Sequence, residues 1–118
     1  MQCRGDNVRK QMGILLFAFV VAIGFSGTAF AQPVHTQTVS IQNHAFHPKI
    51  VMVKSGTTVT WVNKDHEAHT VTSVNRKFRS SGHINPGAYY KVTFTKSGAY
   101  PYYCSIHPYM KGVIVVRR

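Results

Sequence analysis

The chain has 118 residues, a length that fits one domain, and carries 14 Lys and Arg against 3 Asp and Glu, a formal net charge of +11. Its basic side chains are scattered singly and no nucleic-acid motif accompanies them, so nucleic acid is not expected as a partner. Of two cysteines, Cys3 lies in the leader-like start and only Cys104 beyond it, which excludes an internal disulfide in the mature part.

In chain order, Met1 to Gln11 is polar with Arg4, Arg9 and Lys10, an apolar run follows from Met12 to Phe25, and small residues lead to Ala29-Phe30-Ala31. A basic head, an apolar middle and an A-x-A exit predict a secretory signal peptide over 1-31, cleaved after Ala31. The alternative is an uncleaved anchor, since Ile14 to Ala31 approaches the length of a bilayer span. Gly24, Ser26, Gly27 and Thr28 suit a peptidase site better. Cleavage leaves residues 32-118 as one exported domain of 87 residues, periplasmic and without stable membrane insertion. That domain keeps eleven basic and two acidic side chains, a surplus that attracts acidic partners and speeds encounter.

The mature segment reads as short strands at Thr36–Ile41, Ile50–Val53, Thr57–Asn63, His69–Ser73, Tyr89–Thr95, Ala99–Cys104 and Gly112–Val116. Val59 and Trp61 alternate with Thr58 and Thr60, and Tyr90, Val92 and Phe94 with Lys91 and Thr93, a period of two that places one face inward. Ser55-Gly56, Asn85-Pro86-Gly87 and Ser97-Gly98 interrupt the pattern as turns. Val74 to Gly87 is the longest predicted connection. No apolar pattern of helical period is sustained past the leader. Seven short strands predict an all-β, single-domain Greek-key β-sandwich, with Trp61, Phe46, Phe78, Phe94 and alternate Val and Ile residues as its core.

A lone exported thiol is exposed to oxidation unless something uses it. Cys104 opens Cys104-Ser105-Ile106-His107-Pro108-Tyr109-Met110, which sets a thiolate, an imidazole and a thioether three residues apart. A tight loop between two strands can turn all three toward one point. Cys, His and Met are the soft and borderline donors that suit copper in both oxidation states. His69, at the start of an earlier strand, supplies a second imidazole. Two His, one Cys and a long axial Met describe a type 1 (blue) copper site that passes single electrons. The alternative makes Cys104 an inert buried thiol, His107 a surface residue and Met110 core filler.

These residues carry a resemblance. Val59-Thr60-Trp61-Val62-Asn63, His69-Thr70-Val71, Gly98-Ala99-Tyr100, Cys104-x-x-His107-Pro108-x-Met110 and Gly112 to Val116 together resemble the cupredoxins, and within them the amicyanin-like group. The likeness covers nearly all of Val39 to Val116. It implies a cupredoxin-type sandwich of about seven to eight strands, one Cu(II)/Cu(I) ion, and the ligand set His69, Cys104, His107 and Met110. His66 is the other upstream imidazole. It sits in the approach loop between Asp65 and Glu67, whereas His69 is followed by a polar residue and Val, as the family ligand is. Thr70 stands where the family usually has Asn, which ties the two ligand loops together, and Thr70 is expected to reach Ser105 in its place. The backbone N–H of Thr70 is the expected donor to the Cys104 sulfur.

The resemblance implies a periplasmic one-electron carrier, monomeric and not an enzyme, working between acidic redox proteins such as a dehydrogenase, a cytochrome or a reductase. Its exposed port would be His107, ringed by Ala68, Pro108 and Tyr109. The runner-up is a copper chaperone or buffer, suggested by the six histidines besides His69. His35, His44, His47 and His83 read most simply as polar loop residues, with a weak auxiliary metal site near the N-terminal strands as the alternative.

Overall fold

The computed structural model describes residues 21–24, 26–31 and 33–118. The basic head of the expected leader and part of its apolar middle lie outside the described residues. Those described between 21 and 31 carry no strand or helix. No described helix is long and apolar enough to cross a membrane.

Ten strands follow: β1 (Thr36–Gln42), β2 (Ala45–His47), β3 (Ile50–Lys54), β4 (Thr57–Asn63), β5 (His69–Thr70), β6 (Thr72–Ser73), β7 (His83–Ile84), β8 (Tyr89–Phe94), β9 (Gly98–Tyr103) and β10 (Lys111–Arg117). They form two four-stranded sheets, β2-β1-β4-β8 and β3-β10-β9-β6, with β5 and β7 as a separate pair. Within the first sheet β1 runs parallel to β4, and within the second β10 runs parallel to β3. Parallel neighbours cannot be joined by a tight hairpin, so the chain passes to the other sheet between them. This is the Greek-key sandwich expected from the strand pattern.

Alternation drives the packing. Along β4, Thr57, Val59, Trp61 and Asn63 are buried while the residues between them are half-buried. Trp61 is the hub: it meets Tyr102 of the opposite sheet edge-on at 5.4 Å between ring centroids, and Phe94 at 6.4 Å. Phe46 also packs on Tyr102 across the sandwich, at 4.8 Å. Phe46, Trp61 and Phe94 are core residues as expected, whereas Phe78 is only partly buried against the cluster, stacked near Trp61.

Two departures bear on the site. The strand expected over His69–Ser73 is two strands in different sheets: His69–Thr70 pairs with β7, and Thr72–Ser73 with β9. Val71, fully buried between them, exchanges its backbone hydrogen bonds with Ser81 instead, at 2.8 and 2.9 Å. The short strands β2 and β7 were also not expected, because two or three residues are too few to show a period.

Candidate metal centre

One strand and two loops converge at one end of the sandwich. β5 supplies His69, the chain leaving β9 supplies Cys104, the β9–β10 loop supplies His107, and the β1–β2 turn brings in His44. The Cys104 Sγ lies 3.8 Å from His69 Nδ1 and 3.8 Å from His107 Nδ1. Donors about 2.0–2.3 Å from a shared centre and spread by 120° would stand about 3.7 Å apart, so these three fit one trigonally bound ion. Cys104 and His69 are fully buried, while the His107 side chain keeps 20% exposure.

Met110 is buried at the far end of the loop. Its carbonyl accepts the Cys104 N–H at 3.0 Å, and its own N–H donates to the His107 carbonyl at 2.9 Å. These two bonds close the loop on itself and fix Cys104, His107 and Met110 relative to one another. His66, by contrast, is exposed and stands outside the donor group.

Thr70 makes the contacts expected of it. Its N–H donates to Cys104 Sγ at 3.3 Å, its Oγ1 accepts the Ser105 N–H at 2.7 Å, and the Thr70 and Ser105 hydroxyls bond at 3.0 Å. One short side chain therefore links the two ligand loops. Asn63, buried at the end of β4, holds the base of the approach loop by donating to the carbonyls of Glu67 at 2.7 Å and Ile84 at 2.9 Å.

The sequence pattern missed three participants. Asp65 and Glu67 entered it only as the neighbours of His66 in the approach loop, and His44 as a polar loop residue. Asp65 Oδ2 instead pairs with His69 Nε2 at 2.8 Å, with 12% of the Asp65 side chain exposed. The same carboxylate accepts the N–H of Asn43 at 2.7 Å and of His44 at 3.0 Å. Burial pushes the Asp65 carboxyl up, but the hydrogen bonds from His44, Asn43 and His69 outweigh it and hold the group below the ordinary carboxylate value. A carboxylate on the second nitrogen of a ligating imidazole fixes its tautomer, leaving Nδ1 free to face the ion. Glu67 Oε2 lies 3.1 Å from His44 Nε2 and 3.4 Å from His107 Nε2. The bond from His44 leads the interactions that lower the Glu67 carboxyl. Only proximity in space reveals these roles; the two acids' presence in the approach loop was the one available signal.

Beside Glu67 and His44, the exposed surface near His107 carries apolar and aromatic side chains. Tyr109 is 68% exposed and Ile106 42%, and the Tyr109 ring stands 6.1 Å from that of His107.

A family model for the cupredoxin-like domain matches residues 14–116. Amicyanin of Paracoccus denitrificans is 35% identical over 82 residues, which cover 66% of this chain and 63% of that protein. The chain thus spans just under two thirds of that relative. Amicyanin-alpha of Methylorubrum extorquens is 32% identical over 88 residues, 71% of this chain and 74% of the relative. Among solved structures, a methionine-to-alanine variant of amicyanin in the Cu(I) form aligns with a TM-score of 0.66 at 29% identity, over 75% of this chain and 87% of that one. A copper-containing nitrite reductase from Thermus scotoductus aligns at 0.67 and 34% identity, over 78% of this chain but 24% of the enzyme. With its two facing sheets and its His69, Cys104 and His107 cluster, the chain belongs to the cupredoxin-like family.

Proposed function

We propose that the protein is a type 1 copper protein that carries single electrons, holding one copper ion with His69, Cys104, His107 and Met110. The observation that carries this reading is the pair of equal 3.8 Å separations from Cys104 Sγ to the two Nδ1 atoms. Soft sulfur and borderline nitrogen donors in that arrangement select copper over harder cations. Copper supplies a one-electron couple between Cu(II) and Cu(I).

The residues do the rest. Asp65 holds His69, and the Met110 backbone holds Cys104 and His107, so the donors keep their places whichever charge the ion carries. The Thr70 N–H draws electron density from the Cys104 sulfur and tunes the potential. The solvent-facing edge of the mostly buried His107 gives the electron its way out, beside Ala68, Pro108 and Tyr109. Four protein donors leave no open position for a substrate, so the reading is of a carrier and not an enzyme.

Residues 1–31 are read as a secretory signal peptide and 32–118 as the mature periplasmic domain; Gln32–Arg118 forming one compact unit supports this division. Its positive surplus suits acidic redox proteins as donor and acceptor, with the domain working as a monomer.

The test is the visible spectrum of the copper-loaded protein. An intense blue or green band is expected, and Cys104→Ser should abolish it; a colourless copper complex with a freely reactive Cys104 thiol would refute the reading. Electron self-exchange measured on the same sample separates carrier from copper buffer. Slow exchange together with ready release of copper to an acceptor protein would favour the buffer. N-terminal sequencing of exported material should begin at Gln32.

A further inference from the structure

A second group of donors lies on the solvent side of the first. His44 Nε2, Glu67 Oε2 and His107 Nε2 all fall within 4.8 Å of one another, with Glu67 Oε2 at 3.1 Å from the first and 3.4 Å from the last. Two imidazole nitrogens and one carboxylate oxygen around a tetrahedral zinc stand about 3.4 Å apart. The rings of His44 and His107 are nearly perpendicular, with centroids 4.9 Å apart.

The backbone gives an independent observation. Asn43 and His44 form the two-residue turn between β1 and β2, both at positive φ, 54° and 55°. A hairpin turn of that type strongly prefers Gly at its second position, and His there carries a conformational cost. Asp65 clamps the turn by accepting both N–H groups, and the result is that the His44 ring stands over Glu67 and His107. Residues 32–118 contain only two acids, Asp65 and Glu67. One of them holds the strained turn and the other faces the imidazole that the turn presents.

We propose that His44, Glu67 and His107 form a second, surface metal site for a borderline divalent cation of the zinc class, sharing His107 with the copper centre. His107 offers Nδ1 inward and Nε2 outward; with both ligated, its remaining ring proton leaves to solvent. Three protein donors leave a fourth position open to water. A cation there sits on the exposed edge of His107, so its occupancy alters the charge of the face through which a redox partner would approach.

The test is titration of the copper-loaded protein with zinc chloride, read by calorimetry and by metal content after dialysis. Wild type is expected to take up one zinc per chain and keep its copper. His44→Gly and Glu67→Gln should each weaken zinc uptake by on the order of tenfold or more, as losing a ligand should cost at least what losing an outer-shell partner does. His44→Gly is chosen because Gly suits the turn: its thermal midpoint should equal or exceed that of wild type, which rules out misfolding as the cause. His35→Ala, at an exposed histidine away from the group, should leave uptake unchanged. Zinc should also shift the copper band of wild type but not of His44→Gly. No uptake by wild type, or uptake that both variants retain, overturns the site. Copper content is measured before zinc is added, so failure of the copper reading shows there and leaves the dependence on His44 and Glu67 as a separate result.

Discussion

Asp65 uses one carboxylate to fix the tautomer of His69 and to hold the β1–β2 turn. Asp65→Ala should therefore do two kinds of damage. Losing charge-assisted bonds to two N–H groups and an imidazole is expected to destabilise the metal-free fold by about 1–3 kcal/mol in denaturant unfolding. Copper affinity, measured by competition with a chelator, should fall on the order of 10–100-fold, because the second nitrogen of His69 loses its partner. The pH dependence follows from the same group. Its carboxyl is lowered in the folded state, so its stabilising contribution is present above the ordinary carboxylate range and is lost as pH falls through the folded value. Below about pH 4 the melting temperature of the metal-free wild type should drop more steeply than that of Asp65→Asn.

At the level of elements, β9 and β10 carry the ligand loop, and their pairing depends on a glycine. Gly112 stands opposite Tyr102 in the register, and a Cβ built there would fall 2.9 Å from Cε2 of the Tyr102 ring and closer still to its outer atoms. That ring cannot retreat: it is 1% exposed, and Trp61 and Phe46 pack against it. Burial also pushes the Tyr102 phenol up to about 12, so it stays neutral across the physiological range. Gly112→Ala should cost about 1–3 kcal/mol of stability by thermal or chemical unfolding. Because the strain falls two residues from Met110, the copper band of this variant should shift as well.

Over the whole molecule, charge is distributed unevenly. Eleven basic side chains are spread through residues 32–118, while both acids belong to the metal end. The net charge of this segment is positive, while Asp65 and Glu67 set negative charge directly against His69 and His107. Association with an acidic redox partner should therefore slow as salt is raised, which stopped-flow measurement at several ionic strengths would check. Bound copper should raise the melting temperature, since an ion that prefers the folded state shifts the unfolding equilibrium.

The residue order alone determined the all-β sandwich, because alternation in segments such as Thr57–Asn63 reports directly which face is buried. It also pointed to the Cys104, His107 and Met110 loop, whose candidate donors are near in sequence, and it gave reason to prefer His69 to His66. Only the tertiary structure decided that Asp65, Glu67 and His44 join them. His44 lies 21 residues before Asp65, and the two meet because β1 pairs with β4 and sets the turn after β1 beside the loop after β4. Contacts made across strands leave no local period, and a polar residue that bonds a distant partner looks, in one dimension, the same as one that bonds water.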